Sequence, residues 1–159
     1  MSVRTGSIYR QSIIGAVFAG LATIFWVYLF ATIIRLALGD AALFVGSFMT
    51  AAATEGTLWL GRFILIATAL LWGALYPVVR RVLPGEEWQR GLIYGLLVWL
   101  VSTTLILPYL ALVHPQPGIV EEPGMLALGF GGVSALLLSL TAHLLFGVLL
   151  GVWVQRVTE

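Results

Sequence analysis

The sequence has no cysteine and no lysine, and only 9% of its 159 residues are charged. Without cysteine there is no disulfide, no thiolate metal site and no cysteine nucleophile. A soluble domain carries about 25% charged residues, so a chain this poor in charge has lipid as its solvent. A net charge of +1 gives no basis for nucleic-acid binding. No stretch is long and polar enough to form a soluble catalytic domain.

What the chain does contain is apolar surface, with 60% hydrophobic residues and a mean hydropathy of +1.05. A membrane-spanning helix needs about 20 predominantly apolar residues. Four segments meet that length, about 12–38, 58–83, 91–113 and 126–154. The expected fold is therefore all-α and integral to the membrane, a single domain over 1–159 with four transmembrane helices in an up-down bundle. A shorter apolar run, Ala41 to Thr54, suits an interfacial or re-entrant helix between the first two spans, with Asp40 as its cap. The first apolar run is too long for a cleaved signal and is expected to stay as a span.

Arginines set the expected orientation. Arg4, Arg10, Arg80, Arg81, Arg90 and Arg156 fall on one side of the spans, and only Arg35 and Arg62 on the other. By the positive-inside rule both termini are cytoplasmic, in a prokaryotic plasma (inner) membrane. "LPGEEWQRG" is a tight turn that makes the second and third spans neighbours, whereas "VHPQPGIVEEPG" is a stiff, proline-rich outer loop carrying His114. Pro108 is expected to kink the third span near Thr104. A shift of 80 residues lays Arg10 on Arg90 and Gly15 on Gly95, the pattern of a repeated hairpin or of a small membrane alphabet aligning by chance.

The fourth span carries the most specific signal. Gly131, Ala135, Ser139, His143, Gly147 and Gly151 recur every four residues, a spacing that lets helix backbones approach closely in lipid. Gly15/Ala19 and Ala16/Gly20 make similar pairs in the first span. These rows are expected to pack helices, with either the Gly131–Gly151 row or the first-span rows at the contact with a partner subunit. Counting twelve or thirteen residues inward from the boundary arginines places Thr23, Thr68, Ser102 and Thr103 at the depth of His143, roughly 18–20 Å in. Burying a titratable group there is costly, so His143 is read as part of a polar midplane layer and as the sole candidate cofactor ligand. A haem held by this chain alone would need a second ligand, and His114 lies too far along the membrane normal. Ser139 with His143 lacks a carboxylate to orient the imidazole, so a hydrolase reading fails too. No catalytic residue, no metal and no cofactor is expected, while a haem or pigment shared with a partner subunit stays open.

"LGDAALFVGSFMT", "LPGEEWQRGLIYGLLVW" and "AHLLFGVLLG" together resemble the small four-helix bacterial and archaeal membrane proteins related to YagU. The resemblance implies the four-span fold and no defined activity. It also implies a histidine in the second helix, which this sequence does not have. The expected function is a non-catalytic accessory subunit of a larger membrane complex, such as a respiratory or photosynthetic electron-transport assembly. Its partners are then the lipid bilayer and other membrane subunits, with no nucleic acid. The alternative is a small oligomeric transporter or channel for a small neutral solute, and behind it a haem-binding membrane protein.

Overall fold

The computed structural model describes residues 5–34, 40–115 and 118–158, all helix and connecting turns with no strand among them. Its elements are α1 (Thr5–Ile34), α2 (Asp40–Thr50), α3 (Glu55–Val79), α4 (Glu87–Val101), a π turn (Ser102–Ile106), α5 (Leu107–Leu112), a 3-10 turn (Met125–Phe130) and α6 (Gly132–Thr158). Four helical stretches are long and apolar enough to cross a membrane: Gly6–Ile34, Glu55–Val79, Glu87–Leu112 and Gly132–Val157. The expected end of the first span at residue 38, together with Arg35 and the Asp40 side chain, lies outside what is described.

Small residues decide which helices touch. Gly147 lies against the backbone of Gly91 and Gly95, Gly151 against Glu87 and Gly91, and Gly95 against the His143 carbonyl. The numbering falls along α6 as it rises along α4, so these two pack antiparallel with their backbones in contact. On the other side of α6, α1 presents Gly15 to Trp153 and Leu150. Helix α1 meets α3 through Ala16 on Gly73 and Gly20 on Ala69. Gly15, Ala16, Gly20, Gly147 and Gly151 are thus occupied within the chain, where a partner had been expected to use such rows.

The tight turn brings α3 and α4 together by a different means. Gly85 takes φ 92°, a left-handed conformation that glycine adopts without strain, and the Glu86 N–H donates to Gln89 Oε1 at 2.8 Å to start α4. Beyond the turn the two helices are held apart by aromatic rings. Tyr76 and Tyr94 pack edge-on with centroids 5.1 Å apart, and the Tyr94 hydroxyl donates to the Trp72 carbonyl. With Phe146, Leu150 and Val154 of α6 and Ala16 and Ala19 of α1, they fill the core at this end.

The opposite end is filled by α2. Gly46 abuts the Thr57 carbonyl and Gly61 the Ala42 carbonyl, so α2 folds back along the first turns of α3 without crossing the bundle. Thr54 caps α3 by accepting from the Thr57 N–H at 3.2 Å. Phe44 of α2 then joins Ala127, Phe130 and Ala135 in a second core, backed by Phe48, Leu107 and Leu110.

Two helix boundaries differ from the sequence expectation. The fourth span starts at Gly132, not at residue 126. Leu126 and Ala127 have φ of 57° and 61°, and Gly131 and Gly132 have 138° and 65°. A chain with four left-handed residues cannot continue an α-helix, however apolar it is. In the third span the π turn accounts for the irregularity expected from Pro108. The Leu107 N–H bonds the Ser102 carbonyl five residues back, widening the helix just before the proline.

Candidate functional site

Each residue of the expected midplane layer turns to its own helix or to none. His143 Nδ1 lies 2.8 Å from the Ser139 carbonyl. A carbonyl only accepts, so Nδ1 carries the proton. Thr68 donates to Ile64 and Thr103 to Trp99, at 2.9 and 2.8 Å. The Thr23 hydroxyl is buried without a hydrogen-bond partner. No bond joins His143 to Thr23, Thr68, Ser102 or Thr103. The register explains why: Gly151, five residues before Arg156, faces Glu87 and Gly91. Equal counts from Arg90 and Arg156 therefore begin at different depths. The α4 residue against the His143 backbone is Gly95, seven residues short of Ser102 and so roughly 10 Å from it along the axis.

The packing residues are placed more evenly. Gly15, Ala16, Ala19, Gly20, Ala135, Gly147 and Gly151 are all buried. Ala135 sits in the core around Phe44. Gly131 is exposed and lies in the turn before α6, outside the helix.

Two polar constellations emerge that sequence reasoning missed. At the α3–α4 turn, Glu87 Oε1 receives two guanidinium groups, Arg90 at 2.9 Å and Arg80 at 3.3 Å. The Tyr76 hydroxyl is 3.3 Å from the other carboxylate oxygen and 3.2 Å from the Glu87 carbonyl. Arg90 Nε also donates to the Leu83 carbonyl, tying the turn to α4. The spacing of Glu87 and Arg90 is a helical i, i+3 pair, a signal present in the sequence.

The second constellation joins α2 to the end of α5. His114, expected in an outer loop, is buried at 8% exposure, with Nε2 2.9 Å from Ser47 Oγ. The Ser47 hydroxyl donates its one proton to the Phe44 carbonyl. The imidazole must therefore be the donor in the Ser47–His114 bond. A nucleophilic serine needs the reverse polarity, with its proton passing to the imidazole. Ser47 is fully buried, and the rings of Phe44 and Phe48 lie 5.2 and 4.3 Å from that of His114. The geometry is that of a latch between two segments. Among the described residues no group of three or more His, Asp or Glu side chains converges as a metal site would require.

Charged pairs at one end, a buried latch at the other and four apolar spans between them define a multi-pass helical membrane protein. The chain belongs to the family described as "Family of unknown function (DUF6789)", whose model matches residues 9–159. That match shows no link to YagU. No curated protein and no solved structure matches the chain.

Proposed function

We propose that the protein is a non-catalytic accessory subunit packed within the bilayer against a larger membrane complex. One observation carries the reading. The hydroxyls of Thr68, Thr103 and Thr104 and the imidazole of His143 are bonded to carbonyls of their own helices. They offer little to a passing solute, and the core beside them is filled with Tyr76, Tyr94, Phe146 and Leu150. The surface left for a partner is the exposed apolar one, such as Phe18, Leu21 and Phe25 on α1 and Leu71 and Leu75 on α3. Extraction of the native protein in mild detergent should give a hetero-complex whose other subunits are identified by mass spectrometry. A purified monomer or homo-oligomer that moves a small neutral solute across liposomes would replace this reading with the transporter. The re-entrant α2 and the π turn favour that second reading, because π turns recur at functional sites.

In the same proposal the termini and the α3–α4 turn lie on the cytoplasmic face of a prokaryotic plasma membrane. The support is positional: Gly15 on Trp153 and Gly91 on Gly151 bring the start of α1, the end of α6 and the α3–α4 turn to one end. Arg10, Arg80, Arg81, Arg90 and Arg156 gather there. Reporter fusions after Glu159 and near Gln116 should report opposite sides. The same side for both rejects the up-down arrangement.

A further inference from the structure

We propose that the α1–α3 seam at the α2 end is a phospholipid site, with the headgroup phosphate held by Arg62. The residue is seven positions into α3 from Glu55, roughly 10 Å along the helix and inside the span. Its guanidinium carbon lies 4.5 Å from the ring centre of Trp59 and 5.2 Å from that of Tyr28, a clamp between two helices. Trp59 is 60% exposed and Tyr28 38%, so the clamp opens on the lipid-facing surface.

Among the described residues the cation has no counter-charge. Arg80 and Arg90 share Glu87, but among the described residues no carboxylate lies within ion-pair distance of Arg62. Its Nε is buried and lacks a hydrogen-bond partner. Aromatic faces hold a guanidinium in place without using its N–H donors, which lie in the plane of the group. Those donors suit the paired oxygens of a phosphodiester.

A lipid fits better than a free anion because of what lies one turn deeper than the rings of Trp59 and Tyr28. The seam register, Gly20 on Ala69 and Tyr28 beside Arg62, sets Phe25 and Phe63 at one level. Both are 69% exposed and flank the path an acyl chain would take below its phosphate.

The test is native mass spectrometry of the full chain in detergent, titrated with phosphatidylglycerol or phosphatidylcholine. Arg62→Gln should weaken binding of either lipid by about tenfold, the effect of losing one charge-assisted contact. Arg81→Gln, at the opposite end and exposed, should change nothing. Excess inorganic phosphate should not displace the lipid. Should Arg62→Gln not fold, Trp59→Leu keeps the charge and removes half the clamp, and weaker lipid binding by that variant supports the site. Wild-type lipid binding by the folded Arg62→Gln protein, or by Trp59→Leu where that variant stands in for it, overturns the site. Displacement by inorganic phosphate overturns the lipid and leaves a free-anion site in its place.

Discussion

Gly147→Leu is expected to separate α4 from α6 and to cost about 3 kcal/mol or more, the upper end of what overpacking does. A Cβ at position 147 would fall on the Gly91 carbonyl oxygen and close to the Gly95 backbone. Where a new methyl meets a side chain, that side chain moves aside; here backbone stands on both sides, and relief requires moving a whole helix. Gly91 and Gly151 face each other across the same contact, so a shift at one position is felt at the others. Thermal unfolding in detergent, followed by the helical circular dichroism signal, should show a large fall in Tm. Gly6→Leu, where nothing lies within 4 Å of the added carbon, is the control. Equal melting of the two variants would mean that the close approach of α4 and α6 is not real.

Glu87→Ala should be the second most damaging change. The carboxylate is the shared partner of Arg80 and Arg90, and its side chain is only 14% exposed. Removing it leaves two cations facing each other near the core, with one Arg80 nitrogen already buried and unpartnered. Breaking a buried pair from one side costs about 3–5 kcal/mol; Arg90, at 32% exposure, can still reach water, which puts the expected loss near 3 kcal/mol. Arg80→Ala should cost less, because Glu87 keeps Arg90. The comparison of the two melting curves decides the point: a loss below about 1 kcal/mol for Glu87→Ala would class these as ordinary solvated pairs.

The four spans were legible because twenty apolar residues in a row leave few alternatives to crossing a membrane. Close helix packing was legible as well, from the spacing of Gly147 and Gly151. Its other half, Gly91 and Gly95, shows the same interval of four in the sequence and was overlooked beside the longer row in the fourth span. Depth counting failed because it assumed that the boundary arginines lie in one plane. They do not: Arg156 extends past the start of α4, opposite which Gly151 sits.

The latch was illegible for a different reason. His114 follows α5 and precedes a proline, which reads as exposed loop. What buries it is Ser47, Phe44 and Phe48, some 67 residues earlier, on a helix whose place depends on the fit of Gly46 and Gly61 against α3 and Ala42. Nothing local in the sequence encodes that contact. The stretch from Leu126 to Phe130 misled in the opposite sense, since its apolar letters suit a helix and only the glycines at 129, 131 and 132 mark the interruption.

Helix α2 also gives the molecule a taper. The end of the bundle where α2 packs holds that helix and the 3-10 turn besides the spans, and with the bundle set across a bilayer that end would fall in one leaflet. A helix with side chains is about 10 Å across, so the difference is roughly 80 Å² of bilayer area, comparable to one lipid. A wedge of that kind fits more easily where the leaflet containing α2 is the convex one. Bending elasticity of the surrounding bilayer would then favour regions curved toward that face, and would weigh on the stability of the α2 dock itself.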